Sequence, residues 1–419
     1  MATTSFSRLG SANTYDSAMR NVGARQVALS NLQENLTSGK RVVRASDDPT
    51  SAGIAERALT RISRIATDQR TLESQRTAIT QAESVLGDVT DALQRFRELT
   101  VSAGNAGHTT LERQIIAQEM RGLRDQVFAL ANREDSNGLP LFSALGSALK
   151  PFVGPQATPP DYTFNGLPGQ SSSSDVAIPF ALDGDAAFML QPARDGSYNV
   201  KNSNLTAQLQ ASGVTVASAA AVTGSSYNLS NIAVTPGTLP GTSKVTYDLV
   251  ETTAAGVVQP SVTTTEADYP STATGTSIPI NLPGLSLTLT GTLTATDSLD
   301  IQPNASLLSV LDNAIRDIGS ASTNHTASQA VSQALHNIDI GMQRVSAVRG
   351  QAGELLNRAD RISNNQDKRS IQMEADRSRA EDLDMVKGIS DFQNQQTGFQ
   401  AALQTYAQVQ KLSLFNYIS

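Results

Sequence analysis

The sequence has no cysteine and no tryptophan, and aromatic residues make up only 5% of its 419 residues. Without cysteine, the chain forms no disulfide bond, uses no thiol nucleophile and binds no metal through thiolates. With so few aromatic side chains, the composition favours long helices packed through small residues over a thick aromatic core. The content of 39% hydrophobic and 17% charged residues is nevertheless that of a folded protein.

Long apolar runs and basic clusters are missing as well. No stretch of about eighteen apolar residues is present, so we expect no membrane partner, and Met1–Met19 lacks the basic and then apolar organisation of a secretory signal. The net charge is −7, and no basic stretch is interleaved with aromatic residues. We therefore expect no nucleic-acid partner.

Motifs for catalysis or cofactor binding are also missing. The sequence contains no HExxH zinc motif, no GxxxxGK[ST] phosphate-binding loop and no GxSxG nucleophile motif. Its three histidines, His108, His325 and His336, are interpreted as solvated helix or loop residues. We expect no enzymatic activity, no cofactor and no metal site.

What the sequence does contain is an apolar stripe near each end. The C-terminal stripe follows a seven-residue repeat that glutamines interrupt: Ile389, Phe392, Gln396, Phe399, Leu403, Tyr406 and Gln410. An apolar tail follows it, with Leu412, Leu414, Phe415 and Tyr417. The N-terminal stripe has the same repeat and includes one arginine: Tyr15, Ala18, Val22, Arg25, Leu29, Leu32 and Leu36.

These stripes are too apolar to face water and too polar for a stable isolated helix pair. Each polar residue would destabilise two packed helices, but it could set the register in a larger bundle. We therefore predict that the apolar residues of both stripes and of the tail form an assembly interface. In it the two stripes pack on each other and on the same pair in neighbouring subunits.

The chain between the first two helices carries clear stop and start signals. Gly39 directly follows the last periodic residue and is suited to a left-handed position that ends the first helix. Ser46–Pro49 starts the next helix, with Asp48 as the cap and Pro49 in the first turn. Paired aspartates can also suggest Mg²⁺ or Ca²⁺, but no further ligand spacing accompanies them, so a cap is the better interpretation.

Helical periodicity is present on both sides of a middle region that has a different pattern. Apolar residues recur at helical spacings over 65–93, 116–130 and 308–359. From about residue 140 to 303, apolar and polar residues instead alternate, as around Tyr247 and Leu287, which is typical of half-buried strands. The sequence predicts an α+β protein: an elongated helical-bundle or coiled-coil rod formed by both arms, with a β-rich domain inserted in the middle.

Five segments are expected from this pattern. They are an N-terminal assembly helix (1–45), long rod helices (46–142), a β-rich inserted domain (143–303), returning rod helices (304–380) and a C-terminal assembly helix (381–419).

The segment that joins the first two helices resembles a motif of the flagellin superfamily. The residues that carry this resemblance are Ser38, Gly39, Lys40, Arg41, Ser46, Asp47, Asp48 and Pro49. Five further stretches are similar to the same superfamily, the last two more weakly: Phe96–Asn105, Leu130–Gly138, Val409–Ile418, Tyr162–Gly166 and Leu282–Gly291. Ala45 departs from the pattern, because the family usually has proline there. The Ser46–Pro49 run in particular resembles the branch that joins the flagellar hook to the filament.

The resemblance implies a structural flagellar protein that lies outside the cell at the hook–filament junction. It implies export by the flagellar type III apparatus without a cleavable signal peptide. The implied partners are further copies of the chain in a ring or helical array, hook-associated protein 1, flagellin, and an export chaperone that binds the C-terminal helix.

Two alternative functions remain open on the sequence alone. The chain could be a flagellin that forms the filament itself, although such chains usually carry Lys-Asp-Asp-Ala in place of Ser46–Pro49. It could also be an adhesive surface protein whose β-rich insert binds a ligand while the helices serve as a stalk.

Overall fold

The computed structural model describes residues 11–157, 160–203, 209–270, 277–291 and 296–418, with side chains from Asp16 to Gln408. The chain divides into two compact units. The terminal unit comprises Met1–Arg70 and Ser363–Ser419, and the central unit comprises Thr71–Ile362.

The terminal unit is helical. It contains α1 (Ser11–Ser38), the start of α2 (Pro49–Ala103), the end of α7 (Asn324–Glu381) and α8 (Met385–Ile418). The prediction that the first helix ends at Gly39 is confirmed, because α1 stops at Ser38 and Gly39 has a φ of +70°. The predicted start of the second helix at Pro49 is also confirmed.

The helices of the central unit surround one hydrophobic core. They are the remainder of α2, α3 (Thr110–Ala131), α6 (Leu307–Gly319) and the first part of α7. The predicted stripe of α2 is buried at seven-residue intervals, since Ile79, Leu86 and Leu93 have no exposed surface. These side chains share a single core with apolar residues of α3, α6 and α7. Two short helices, α4 (Gly184–Phe188) and α5 (Pro192–Asp195), lie in the middle of the sequence.

The middle of the chain forms twelve described strands. Their bounds are β1 (Phe152–Val153), β2 (Thr163–Phe164), β3 (Tyr198–Asn202), β4 (Gln210–Ala211), β5 (Thr215–Val216), β6 (Ser226–Pro236), β7 (Thr242–Thr252), β8 (Val262–Thr265), β9 (Tyr269–Pro270), β10 (Ser277–Leu282), β11 (Leu285–Thr290) and β12 (Leu299–Pro303). A short 3-10 turn spans Ala219–Ala221. All pairings between these strands are antiparallel.

Two larger sheets build the β-rich region. One has the order β3-β12-β6-β7-β8, with β9 also paired to β7; the other has the order β10-β11-β4, with β5 also paired to β11. Alternate residues of both sheets, such as Tyr247 and Leu287, are buried in a second hydrophobic core. Burial on one face of each sheet explains the period of two in the sequence.

The predicted fold class is confirmed, with long helices at both ends of the sequence and β structure between them. The expected end of the β-rich region near residue 303 coincides with the end of β12 at Pro303. The five predicted segments remain a prediction.

Candidate assembly surface

The helices α1 and α8 pack against each other in the terminal unit. They run antiparallel, because Leu36 lies opposite Gly388 whereas Arg25 lies opposite Gly398. A Cβ atom at Gly388 would lie 3.2 Å from Leu36 Cδ2, and one at Gly398 would lie 2.5 Å from Arg25 Nη1. The two glycines therefore leave room for the side chains of α1. The two helices that carry the terminal stripes thus pack on each other, and the predicted assembly interface stays a prediction.

Packing of this pair leaves every described stripe residue at least partly accessible. Half-buried members of the predicted interface are Val22, Leu29, Leu32, Leu36, Phe392, Phe399 and Tyr406. Ile389 and Leu403 are 47% and 42% exposed. The side chains of Tyr15, Leu412, Leu414, Phe415 and Tyr417 lie outside the described residues.

One of the two predicted columns of α8 is not covered by α1. Ile389, Gln396 and Leu403 are all exposed, whereas Phe392, Phe399 and Tyr406 are half-buried. The polar contact across the pair also differs by one position from the predicted column, because Arg25 Nη1 donates to Oε1 of Gln395 at 3.4 Å. The column of Ile389 thus forms a second, open face of α8.

This open face extends further than the sequence analysis predicted. Val386, one turn before Ile389, is 82% exposed. On α1, Met19 and Val27 are also exposed, by 50% and 61%. The spacing of three residues between Val386 and Ile389 is the signal that could have identified this extension.

The open face also carries very little charge. Between Asp391 and Lys411 the sequence of α8 contains no charged residue. Glutamines 393, 396 and 400 fill the interval between Ile389 and Leu403 along the helix. A partner of this face therefore needs apolar and amide groups rather than charges.

Backbone hydrogen bonds join the segment after α1 to the segment before α8. Arg41 N donates to Glu381 O at 2.7 Å, and Leu383 N donates to Gly39 O at 2.9 Å. Lys40 adds an ion pair with the side chain of Glu381. The sequence gives no signal for these contacts, because the partners are more than 300 positions apart and no local pattern links them.

Arg41 and Asp48 of the family motif fix the start of α2. Asp48 accepts hydrogen bonds from Ser51 N at 3.1 Å and from Ser51 Oγ at 2.6 Å. Arg41 contributes an ion pair with Asp48 at 3.3 Å and donates to the carbonyl oxygen of Ala380 at 2.9 Å. The pKa of Asp48 lies below its ordinary value. The main cause is the hydrogen bond from the Ser51 hydroxyl, and the Ser51 amide and Arg41 contribute less. These contacts support the interpretation of Asp48 as a helix cap.

Ser46 and Asp47 are exposed beside this cap. Asp47 Oδ2 accepts a hydrogen bond from Arg44 N at 2.8 Å, which closes a local turn. Across the described ranges, no group of three or more metal-ligating side chains occurs. Nor does the described part of the chain include a helix with the length and apolarity needed to cross a membrane.

The terminal unit buries little apolar surface of its own. Within its described residues, the buried apolar side chains are those of Val42, Ala55, Ala58 and Ala380. Neither hydrophobic core includes a residue of this unit. The larger apolar side chains of α1 and α8 therefore lie in a surface that an isolated chain leaves open.

Two family models match the helical regions that carry this surface. Residues 11–146 match the bacterial flagellin N-terminal helical region, and residues 335–418 match the bacterial flagellin C-terminal helical region. The two matches together cover more than half of the chain. The chain belongs to the flagellin superfamily.

Curated relatives in the flagellin superfamily include both hook-associated and filament proteins. The flagellar hook-associated protein 3 of Salmonella typhimurium is 33% identical over 35% of this chain and 46% of that protein. The flagellin of Clostridium tyrobutyricum is 24% identical over 90% of this chain and 92% of that protein. The chain thus spans less than half the length of the hook-associated relative that it matches.

A solved structure shares the fold of this flagellin-superfamily chain. The flagellar junction protein FlgL from Legionella pneumophila has a TM-score of 0.54 and 23% identity, and the match covers 73% of this chain and 98% of that one. At this level of sequence identity, the similarity shows only that the two chains share a fold.

Proposed function

We propose that this chain is a structural subunit of the bacterial flagellum that connects the hook, through hook-associated protein 1, to the flagellin filament. The observation that carries the proposal is the open apolar surface of α1 and α8, on helices that belong to the flagellin superfamily. The name of the Salmonella relative, a flagellar hook-associated protein, supports a position next to the hook. The chain acts by assembly rather than by catalysis.

The open face of α8 explains how such a subunit assembles. Full burial of a side chain such as Ile389 or Leu403 stabilises a contact by about 1.5–3 kcal/mol, and the part that is already covered reduces this gain. Two helices with so little buried surface are marginally stable on their own. Neighbouring subunits supply the missing cover, so ordering of the terminal unit is coupled to assembly.

The proposal includes the following partners and location. The chain contacts further copies of itself in a ring or helical array, and it contacts hook-associated protein 1 on one side and flagellin on the other. It is exported by the flagellar type III apparatus and lies outside the cell. Before export, a chaperone covers the C-terminal helix, which otherwise exposes Val386, Ile389 and Leu403.

A deletion strain tests the junction position. Loss of the gene leaves hooks intact but releases flagellin monomers into the medium, because the filament has no site on which to begin. The full chain supplied in trans restores attached filaments. Attached filaments of normal length in the deletion strain would rule the junction function out.

A pair of matched variants tests the role of the open face. Ile389→Asn with Leu403→Asn removes its apolar side chains, so we expect export to continue while filament attachment is lost. Ile371→Asn is the control, since Ile371 is 71% exposed on α7 in the same unit. Equal attachment in both variants would show that the open face does not mediate assembly.

The second candidate is a flagellin that forms the filament itself. The observation in its favour is the match to the Clostridium flagellin along nearly the whole chain. Antibody labelling of isolated flagella separates the two candidates. Label confined to the hook–filament junction supports the first function, and label along the whole filament supports the second.

A further inference from the structure

A basic groove lies between α2 and α7 in the terminal unit. It has a volume of about 490 Å³, and its lining includes Ile54, Arg57, Arg61, Met373 and Arg379. Arg379 is paired with Asp376 at 2.5 Å. Arg57 and Arg61 have no ion pair within the described part of the chain, and Arg61 Nη1 contacts the Met373 sulfur at 4.0 Å. The groove thus presents two uncompensated positive charges above an apolar side chain, Ile54, that is 39% exposed.

An acidic turn in the central unit has the complementary character. The segment Glu134–Pro140 closes through an antiparallel bridge between its two ends. Asp135 stabilises the turn, because its Oδ1 accepts hydrogen bonds from Asn137 N and Leu139 N, both at 2.8 Å. The turn therefore keeps its shape without a partner.

This turn exposes both charge and apolar surface. Glu134 is exposed, and Asp88 of α2 lies beside it along the same groove in the central unit. Neither carboxylate has an ion pair among the described residues, whereas Arg133 lines the same groove and offsets part of their charge. Leu139 in the turn is 54% exposed. The turn thus combines a negative rim with a large exposed leucine.

We infer that the basic groove of one copy binds the acidic turn of a second copy. Arg57 and Arg61 then face Glu134 and Asp88, and Leu139 covers the apolar side chains of Ile54 and Met373. Charge complementarity selects this occupant, because each surface leaves uncompensated charges that the other neutralises. The inference rests on the proposed assembly function, and it adds a contact outside α1 and α8.

In the assembly, each copy presents its groove to one neighbour and its turn to another, so the contact is heterologous and generates a ring or a helical array. The copies at the ends of an open array then retain one free groove and one free turn, at which further copies add.

The absence of cysteine allows a direct test by cross-linking. Ile54→Cys places a thiol in the groove, and Ser136→Cys places one on the exposed side of the turn. Flagella from the deletion strain complemented with the doubly substituted full chain are treated with a short bismaleimide. We expect a ladder of covalent multimers that contain only this chain. Either single variant alone gives no multimer, because a groove thiol meets no second thiol.

The matched control moves the groove thiol to the opposite face of α2. Ser63→Cys combined with Ser136→Cys provides it, because Ser63 is exposed but does not line the groove. A ladder of equal strength in this control overturns the inference, as does a ladder from Ile54→Cys alone. No ladder from the Ile54 and Ser136 pair, in flagella whose filaments remain attached, also overturns it and leaves the proposed function intact. Flagella that lack this chain altogether instead contradict the proposed function.

Charge reversal provides an independent readout of the same contact. Arg57→Glu with Arg61→Glu, or Asp88→Arg with Glu134→Arg, should each reduce the cross-linked multimers on the order of 10-fold. The chain with all four changes regains the ladder, because the two surfaces have exchanged sign. Arg121→Glu with Lys150→Glu is the control, since these exposed cations line neither surface and change the net charge equally. Failure of the fourfold variant to recover would exclude direct pairing of these charges.

Discussion

The two units of this chain use similar helices in opposite ways. In the central unit, Ile79, Leu86 and Leu93 repeat at intervals of seven and are completely buried within their own subunit. In the terminal unit, residues with the same repeat remain half-buried or exposed, as Phe399 and Leu403 are. A heptad repeat therefore indicates that a helix has a partner, but it does not show whether that partner belongs to the same chain.

Amide hydrogen exchange should show the largest difference between the units. Amides of 79–96 in α2 exchange only through global unfolding, which for a folded domain requires on the order of 5–15 kcal/mol. Amides of 22–36 and 389–406 exchange through local opening of their helices in the isolated chain. The free energy of this opening is near zero, because few apolar contacts oppose it. Mass spectrometry of the exchanged peptides measures both. Full protection of the terminal helices in the monomer would abolish the distinction between the units.

Truncation of one phenylalanine in each unit should give the next largest effect. Phe96 has no exposed surface, so Phe96→Ala should destabilise the central unit by about 3–5 kcal/mol. Phe392 is only half-buried, so Phe392→Ala should leave that transition unchanged and instead weaken assembly. Urea unfolding followed by tyrosine fluorescence reports mainly on the central unit, which contains five of the eight tyrosines: Tyr162, Tyr198, Tyr227, Tyr247 and Tyr269. An equal loss of unfolding free energy in the two variants would contradict the proposed difference between the two units.

Loss of one buried hydroxyl in the central unit should lower the free energy of unfolding by an intermediate amount that depends on pH. Tyr162 Oη donates to Asp312 Oδ2 at 2.6 Å and accepts from Arg124 Nη1 at 2.8 Å. Burial raises the pKa of Asp312 above 3.8, so folding disfavours its ionised form. That penalty is absent below the ordinary pKa and grows as the pH rises through the folded-state pKa.

Tyr162→Phe removes the hydrogen bond that supports this ionised carboxylate. It should therefore cost about 1–3 kcal/mol at roughly neutral pH and less near pH 3. Urea unfolding at the two pH values measures the difference. Tyr269→Phe serves as the control, because its hydroxyl has no hydrogen-bond partner among the described residues. A penalty that does not depend on pH would exclude Asp312 as its source.

The smallest expected effect is a difference in carboxylate pKa shifts between the helix caps of the two units. Ser51 is the main cause of the lowered pKa of Asp48 in the terminal unit, and its hydroxyl contributes most. The pKa of Glu112 in the central unit is also lowered, but chiefly by the backbone amide of Thr109. NMR titration should therefore show that Ser51→Ala moves the pKa of Asp48 toward 3.8 more than Thr109→Ala moves that of Glu112 toward 4.5.

The sign of the Asp48 effect follows from the direction of its shift. A lowered pKa stabilises the folded cap above the ordinary value of 3.8, and this contribution is lost as the pH falls through the folded-state pKa. Ser51→Ala should therefore reduce the acid sensitivity of the segment between α1 and α2, while the amide of residue 51 and Arg41 still lower the pKa of Asp48. An unchanged Asp48 titration in this variant would show that the Ser51 hydroxyl is not the dominant donor.

Local signals in the sequence were sufficient for the helix limits and for the alternation of strands. Gly39 and Pro49 mark the limits of α1 and α2 because they act through their own backbone conformations. The pattern around Tyr247 and Leu287 reports burial on one face of a sheet, which again is a local property. The flagellin resemblance, carried by short motifs such as Ser46–Pro49, is confirmed by the two family models.

Contacts between distant residues could not be predicted in this way. The rotation of α8 that leaves Ile389 open depends on Gly388 and Gly398, which let α1 approach on one side. The pairing of Lys40 with Glu381, and the groove formed by Arg57 with Met373, bring together positions more than 300 residues apart. Such contacts follow from the three-dimensional path of the chain and leave no periodicity in the sequence.

The uncharged stretch between Asp391 and Lys411 bears on where a flagellum can work. An ionic contact weakens as dissolved salt shortens the reach of its field, from about 30 Å at 0.01 M to about 3 Å at 1 M ionic strength. Packing that relies on leucine, phenylalanine and glutamine has no such dependence. Contacts made through this stretch of α8 would therefore keep their strength between fresh water and brine, unlike the charge pairs proposed for the groove and the turn.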